Sequence, residues 1–350
     1  MIILHETGNY AVIVRPGALA DLQALLEERH PGARPVVIAD ATVAAARANP
    51  LPGAPCLTFP AGERNKVRKT WAMLTDQLLA DGFDRQTVVI GFGGGVTTDL
   101  AGFVAATYLR GVPWIAVPTS TLAMIDASVG GKTGVDTAAG KNLVGAFHQP
   151  SSVICDPDTL DTLPERNFRE GLAEAVKHAA IVDAGSGEWI LAHAGAIASR
   201  DTATLTQLVW RSVECKATIV MEDERESGRR AILNAGHTVA HALELATDFT
   251  IPHGEAVGIG LVLETRVAEA MGVCRHGTAD HIARLLSGLR LPVTPPPDLD
   301  RARCLDAMLV DKKNREGVVR AALLASFGAM ARNGEGWTQP LDIERLKTLL

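Results

Sequence analysis

A repeating order of apolar strand, polar turn and helix in the first third of the chain most strongly constrains the fold. The segment "ARPVVIADATVAAAR", residues 33–47, predicts a buried strand, a turn at Asp40 and then a helix. The order returns in residues 54–82 and 85–111, and "VPWIAVPTS", residues 112–120, adds a further short apolar strand. Strands that alternate with helices are typical of an α/β domain with a parallel sheet.

After about residue 160 the pattern changes to helical periodicity. Five segments carry it, in residues 166–183, 202–224, 231–246, 254–272 and 278–289, and few strands are expected among them. We therefore predict an N-terminal α/β domain in residues 1–160 and an all-α C-terminal domain in residues 161–350. The active site is expected in the cleft between the two domains, since ligand sites commonly lie in such clefts.

Composition excludes several classes of protein. The chain is 47% hydrophobic and 21% charged, so we expect a folded core, and its net charge of −6 without a basic run disfavours nucleic-acid binding. The five scattered cysteines contain no CxxC and are expected to be reduced thiols. No apolar stretch is long enough to predict a membrane span, and no signal peptide is evident, so we expect a cytoplasmic protein.

The glycine cluster "GFGGGVTTD" follows a predicted strand and opens a helix. Successive glycines let backbone N–H groups approach a diphosphate, and a helix N-terminus favours its charge. Gly91 and Gly93 fit the dinucleotide pattern GxGxxG, but Val96 stands where the third glycine belongs. A tight turn without a ligand is therefore an equally good interpretation.

A second glycine segment, "SVGGKTGVD", is similar to an ATP-binding P-loop. Asp126 stands where the first glycine of that motif belongs, so we reject an ATP site. Lys132 between glycines suits a small anionic group, and Lys141 and Asn142 follow as further donors.

His237 and His241 lie four residues apart in a run that predicts a helix, so both rings face the same side. A metal site and simple packing are both compatible with this spacing. The zinc-peptidase pattern HExxH is excluded because Thr238 occupies the position of its glutamate.

Two more segments supply candidate ligands. Glu174 precedes Lys177 by three residues on a predicted helix, a spacing that is also typical of a solvated ion pair. His253 follows a proline at a predicted helix start. Glu174, His237 and His253 would leave an open position suited to catalytic zinc or another first-row ion. His241 would then be available for acid–base chemistry. Between these elements lie Lys216, Arg230 and Asn234. Arg230 and Asn234 come one turn before His237 on a predicted helix face. Such a face indicates a polyanionic ligand near the metal.

Several of these motifs occur together in one known family. The runs "GGGVTTDLAGF", "VPTSTLAMIDASVGGKTGVD", "GKNLVGAFHQP", "EGLAEAVKHAAI", "RAILNAGHTVAHALE", "HGEAV" and "DKKNREG" resemble the 3-dehydroquinate synthase family, in the same order and with similar spacing, from Asp40 to about residue 320. The family differs at Thr98, usually glycine, at Ser120, usually threonine, and at Ala235, Val239 and Ala240. These changes remove no charge and no candidate ligand.

The resemblance implies a Rossmann-like N-terminal domain that binds NAD, a helical domain that binds Zn²⁺ or Co²⁺, and a homodimer. The expected reaction converts a phosphorylated sugar acid, 3-deoxy-D-arabino-heptulosonate 7-phosphate, to 3-dehydroquinate and phosphate. For NAD it implies Asp40, Glu63, Lys66, Gly94, Gly95, Asp99, Thr119, Ser120, Asp126, Lys141 and Thr162. For the metal it implies Glu174, His237 and His253.

For the substrate phosphate the resemblance implies Lys132, Asn142, Asn234 and His241, with Arg110 from a neighbouring subunit. Lys216 and Arg230 suit the carboxylate, Asp126 and Lys177 suit a ring hydroxyl, and Lys312 or Lys313 closes the site, with Lys313 preferred. Lys132, His241, Asp126 and Lys177 are the expected catalytic residues. Three alternatives remain: a sister sugar-phosphate cyclase that makes 2-epi-5-epi-valiolone or 2-deoxy-scyllo-inosose, a metal-dependent polyol dehydrogenase, and a non-catalytic NAD-binding module.

Overall fold

The computed structural model describes residues 1–310, 318–334 and 336–350, except for the side chain of Val310. The chain forms two compact units. The first comprises Met1–Pro164 with Leu205–Val213, and the second comprises Glu165–Thr204 with Glu214–Leu350. The assignment of cofactor and metal to separate domains that divide at residue 160 stays a prediction.

A seven-stranded sheet forms the centre of the first unit, in the order β1-β2-β9-β6-β5-β3-β4. The β1–β2 pair is antiparallel and the other pairs in this sheet are parallel, which confirms the predicted parallel α/β fold. Strands β5, β6 and β9 are buried along their whole length, as is typical of a parallel sheet covered on both faces. The strands are β1 (Ile2–His5), β2 (Gly8–Val14), β3 (Arg34–Asp40), β4 (Cys56–Phe59), β5 (Thr87–Gly93), β6 (Trp114–Pro118), the separate hairpin β7 (Lys132–Thr137) and β8 (Gly140–Phe147), and β9 (Ser152–Cys155).

The helices of the first unit come after the strands β2, β3, β4 and β5 in the chain, past the carboxyl end of each. They are α1 (Leu22–Arg29), α2 (Ala41–Ala46), α3 (Arg68–Ala80) and α4 (Gly95–Thr107). The turn predicted at Asp40 is confirmed, since its side chain accepts hydrogen bonds from the backbone N–H groups of Thr42 and Val43 and so caps α2. Because β3 and β5 are neighbours, Asp40 and the glycine turn after β5 lie at the same carboxyl edge, where α/β sheets commonly bind ligands.

The second unit is mainly helical, as predicted, and adds two short antiparallel strand pairs. Within the described residues, no helix is long and apolar enough to cross a membrane. The elements after Pro164 are α5 (Glu165–Val182), α6 (Ala184–Ala198), α7 (Thr202–Glu222), α8 (His237–Ala246), α9 (His253–Ala270), α10 (Thr278–Gly288), α11 (Arg301–Val310), α12 (Ile343–Leu349), β10 (Arg320–Ala321), β11 (Leu324–Ser326), β12 (Ala329–Met330) and β13 (Gln339–Pro340). Residues Leu205–Val213 of α7 belong to the first unit and the rest of these elements to the second.

One predicted helix is interrupted. Residues 229–234 form a separate 3₁₀ turn, and α8 begins only at His237. Gly236 between them has a φ of 80°, and a Cβ at this position would lie 2.8 Å from the backbone nitrogen of Leu261. The prediction of one continuous helix face carrying Arg230, Asn234 and both histidines is therefore wrong, while the shared helix of His237 and His241 is confirmed.

Candidate functional site

Three of the predicted ligands converge within the second unit. Glu174 lies on α5, while His237 and His253 are the first residues of α8 and α9. The Oε1 atom of Glu174 lies 3.4 Å from Nε2 of His253 and 3.6 Å from Nε2 of His237. Two ligand atoms bound to one tetrahedral zinc ion, each at about 2.0–2.1 Å, are about 3.4 Å apart. Glu174 therefore lies at about tetrahedral spacing from each histidine, and the ligand atoms of all three residues lie within 4.8 Å of one another.

The second nitrogen of each ligand imidazole also has a partner. Nδ1 of His237 lies 3.2 Å from the carbonyl oxygen of Ala235, and Nδ1 of His253 lies 3.3 Å from Oε1 of Glu244. Metal-binding histidines usually donate this second N–H to a carbonyl or a carboxylate. The arrangement leaves the Nε2 atom of each ring facing Glu174, where it can serve as the ligand atom.

The two ligand histidines differ in protonation. Burial, together with the nearby charge of Lys177, holds the pKa of His237 well below its usual value, so this imidazole is neutral. Burial acts in the same direction on His253, but hydrogen bonds to the carboxylates of Glu174 and Glu244 outweigh it and raise the pKa of His253 to about 10. Because a ligand histidine must be neutral, metal binding would displace one proton from His253.

Carboxylates of neighbouring helices, one buried and one half-buried, hold the ends of both histidine-bearing helices. Glu264 on α9 accepts hydrogen bonds from the backbone N–H groups of Gly236 and Val239, at 2.9 and 3.0 Å, and so caps α8. Glu170 on α5 accepts one from the backbone N–H of His253 at 3.0 Å and caps α9. Negative charge is favourable at a helix N-terminus. The helix start that carries each candidate ligand histidine is thus held by a carboxylate from a neighbouring helix.

Close packing adds to this fixation. A Cβ at Gly254 would lie 1.8 Å from the carbonyl oxygen of Glu170, and one at Gly260 would lie 2.1 Å from the carbonyl oxygen of Gly236. Contacts this short leave no room for a side chain, so α9 lies directly against the backbones of α5 and of the turn before α8.

Lys177 and His241 lie beside the three ligands. Lys177 Nζ is 2.5 Å from Oε2 of Glu174, and both residues are buried, so the interpretation as a solvated ion pair is wrong. The ring of His241 is half-buried and its centroid lies 5.5 Å from that of His237, nearly perpendicular to it. His241 therefore neighbours the ligand set but does not belong to the cluster of ligand atoms around Glu174.

The predicted anion-binding residues of this unit are buried or half-buried. Arg230 is 1% exposed and donates to the carbonyl oxygen of Glu224, while Lys216 is 6% exposed. Asn234 donates to the Glu226 side chain at 2.5 Å. Burying a cation costs free energy unless negative charge lies nearby. Side chains of this kind therefore suit an anionic ligand.

In the first unit, Lys66 lies at the centre of an acidic cluster. Its Nζ is 2.9 Å from Glu63, 3.1 Å from Asp99 and 3.8 Å from Asp136. Burial lowers the pKa of Lys66, but these three carboxylates outweigh it and hold the lysine charged. Burial also raises the pKa of Asp136 to about 6. Asp136 was not predicted as a site residue, although it ends the glycine segment that drew attention to Lys132.

The glycines at the end of β5 and the start of α4 form two pairs with different surroundings. A Cβ at Gly91 would lie 2.9 Å from Cβ of Ala101, and one at Gly93 would lie 2.4 Å from Oγ1 of Thr97, so these two allow the helix to pack on the strand. Gly94 and Gly95 are half-exposed and would meet nothing closer than 3.3 and 3.5 Å. No side chain of the described residues caps α4, which leaves its first N–H groups able to bind an anion.

The remaining predicted residues are placed as follows. Thr119 donates its N–H to Gly93, and Ser120 lies beside Gly94. Asp126 lies in a single π-helical turn, Lys132 is exposed at the start of β7, and Arg110 is exposed with a φ of 67°. Lys141 lies 3.9 Å from Glu63, the Asn142 N–H donates to Asp136 at 2.8 Å, and Thr162 accepts from Arg47 at 3.1 Å. Lys313 and Lys312 lie outside the described residues.

Comparisons with known proteins match nearly the whole chain. The family models described as 3-dehydroquinate synthase N-terminal and C-terminal match residues 56–170 and 171–314. The 3-dehydroquinate synthase of Halorhodospira halophila is 44% identical over 332 residues, which cover 93% of each chain.

Solved structures of sugar-phosphate cyclases have the same fold. A 2-deoxy-scyllo-inosose synthase complexed with carbaglucose-6-phosphate, NAD⁺ and Co²⁺ is 25% identical, with a TM-score of 0.92 and coverage of 99% of this chain and 98% of that chain. A 2-epi-5-epi-valiolone synthase from Streptomyces hygroscopicus with NAD⁺ and Zn²⁺ is 28% identical, with a TM-score of 0.87 and coverage of 99% and 96%.

Proposed function

The chain belongs to the 3-dehydroquinate synthase family, and we propose that its two units bind NAD and a divalent metal for that family's reaction. The reaction converts 3-deoxy-D-arabino-heptulosonate 7-phosphate to 3-dehydroquinate with release of phosphate, which makes the enzyme a phosphate-eliminating lyase. The observation that carries the proposal is the spacing of 3.4 and 3.6 Å between Glu174 and the two histidines.

Glu174, His237 and His253 would hold the metal. One carboxylate and two imidazoles suit Zn²⁺ or Co²⁺, and three protein ligands leave a position for substrate. A metal ion bound there supplies a Lewis acid that polarises a substrate hydroxyl. The Lys177 ammonium, buried against Glu174, fixes the orientation of that carboxylate and is available to a ring hydroxyl together with Asp126.

The first unit would hold NAD at the carboxyl edge of its sheet. The uncapped start of α4, with Gly94 and Gly95, suits the diphosphate, because its N–H groups are accessible and no Cβ blocks their approach. NAD held there would supply reversible hydride transfer with the substrate carbinol. The residues proposed around the rest of the cofactor are Asp40, Glu63, Lys66, Asp99, Thr119, Ser120, Asp126, Lys141 and Thr162.

Buried cations would bind the substrate carboxylate. Lys216 and Arg230 are assigned to it, since a buried guanidinium gains most from a carboxylate partner. Lys132, Asn142, Asn234 and His241 are assigned to the phosphate, together with Arg110 from a second copy of the chain in a homodimer. Lys313 would close the site.

Elimination of phosphate needs removal of the C6 proton and cleavage of the bond between C7 and the phosphate oxygen. The phosphate itself takes the proton, and Lys132 and His241 stabilise the charge on the departing group. His241 suits this role because an imidazole titrates near neutral pH. The same residues then hold the flexible intermediate while its ring opens and an intramolecular aldol reaction closes the carbocycle.

The test is turnover by the purified protein with the heptulosonate phosphate, NAD and Zn²⁺. Phosphate and 3-dehydroquinate should form in equal amounts while NADH does not accumulate. Stoichiometric NADH would indicate a dehydrogenase. Conversion of a sugar phosphate that lacks the carboxylate, without conversion of the heptulosonate, would indicate a sister cyclase.

A further inference from the structure

Glu244 is a buried carboxylate that none of the assignments above uses in catalysis. It lies on α8, seven residues after His237, so the two side chains lie two turns apart on similar sides of the helix. It is 2% exposed, and its Oε1 is 3.3 Å from Nδ1 of His253 on α9. A carboxylate with so little exposure is costly unless it is paired, and its partner here is the ring of a proposed metal ligand.

The His253 imidazole lies between two carboxylates. Nε2 is 3.4 Å from Glu174 and Nδ1 is 3.3 Å from Glu244. A carboxylate on Nδ1 fixes the ring orientation and keeps the proton on Nδ1, so that Nε2 faces Glu174 and becomes the ligand atom once its own proton leaves. His237 lacks this charge, since its Nδ1 faces a backbone carbonyl. The two imidazoles are therefore unequal, and His253 is the more strongly polarised.

Two neighbours constrain the backbone of His253, whereas its ring meets Glu174, Glu244 and the edge of the His237 ring. Glu170 holds the backbone N–H of His253, and Gly254 packs against the carbonyl of Glu170. Neither contact restricts rotation about the bonds of the histidine side chain. Only a partner on the ring itself can do so.

We propose that Glu244 is a positioning residue that orients His253 and increases its strength as a metal ligand. The proposal rests on the metal site of the proposed function. It makes the ligand set asymmetric: the charge-assisted pair of His253 on α9 with Glu244 on α8 dominates metal affinity, while His237 depends on a neutral carbonyl. Glu244 does not contact the metal or the substrate in this assignment, and acts only through the imidazole.

The test compares metal affinity, by competition with a chromophoric chelator, across matched variants. Glu244→Ala should lower affinity by about 10–100-fold, the usual effect of removing an outer partner of a ligand. Glu244→Gln keeps an acceptor at the same reach and should recover part of the loss. The visible absorption of the Co²⁺-loaded protein should change in Glu244→Ala, because the ligand field depends on His253.

Glu269→Gln is the control, since Glu269 lies near the other end of α9 and caps α10 through the N–H of Ala279 at 2.8 Å. It should lower thermal stability without changing metal affinity. Equal affinity in Glu244→Ala and the parent, or equal losses in Glu244→Ala and Glu269→Gln, would overturn the positioning role. A parent protein that binds no metal would instead overturn the proposed function, and His237→Ala provides the reference for loss of a ligand.

Discussion

Replacement of Gly254 by alanine tests how tightly α9 and α5 are held together. The new Cβ would lie 1.8 Å from the carbonyl oxygen of Glu170, whereas real contacts of this kind essentially never fall below 3.0 Å. The two backbones must therefore move apart by more than 1 Å. Backbone shifts of this kind are what destabilise overpacked cores. Glu170 lies one turn before Glu174, and Gly254 follows His253 directly, so the movement acts on the 3.4 Å gap between two ligands.

We expect Gly254→Ala to destabilise the helical unit by about 3 kcal/mol, the upper part of the range for overpacking. The thermal midpoint should fall by roughly 6–12 °C, as is usual for a domain of this size. Metal affinity should fall in parallel, because a metal ion tolerates little change in ligand spacing. Both quantities can be measured on one preparation by calorimetry without metal and by metal titration.

Gly195→Ala is the matched control, since Gly195 also lies inside a helix but a Cβ there would meet nothing within 4 Å. Alanine at a position of this kind stabilises a helix by about 0.5–1 kcal/mol. Normal stability and normal metal affinity in Gly254→Ala would refute the reasoning, because they would mean that the two helices can separate without cost to the ligand set.

The other predictions concern the site itself. Exhaustive chelation should abolish turnover, and added zinc or cobalt should restore it. Metal affinity should rise with pH by about tenfold per unit over pH 6–8, because the pKa of His253 is raised to about 10 and its proton must leave before the metal binds. A pH-independent affinity would contradict the loss of this proton. Arg230→Ala should raise KM for the heptulosonate steeply, because the substrate carboxylate would lose binding free energy on the order of 2–5 kcal/mol. Unchanged steady-state kinetics would remove Arg230 from the carboxylate site. His241→Ala should retain metal while turnover slows by about 10²–10⁴-fold, whereas His237→Ala should lose both, and atomic spectroscopy that finds equal metal loss would make both histidines ligands.

Local pattern was sufficient to predict the sheet, because strand and helix periodicities are properties of adjacent residues. The turn at Asp40 and the shared helix of His237 and His241 followed in the same way. The break at Gly236 did not, because it depends on the backbone of Leu261, a long-range contact that no local pattern contains.

The same limit applied to the site. Spacing suggested Glu174, His237 and His253 as one ligand set, but residues from three helices could only be grouped by assumption or by resemblance. The carboxylates that support them, Glu170 and Glu264, were missed because each caps a helix other than its own. Asp136 was missed for a related reason, since it meets Lys66 from a position 70 residues later in the chain.

Capping of α8 and α9 by carboxylates from their neighbours has a consequence for how an ion at the proposed metal site would be exchanged. These bonds are made by backbone N–H groups and do not need the ion, so the helices keep their ends in place when it leaves. Departure and return of an ion would then need no refolding of either helix end. Loading should therefore be fast and reversible, and the ion should add stability by mass action alone, as an ordinary ligand does.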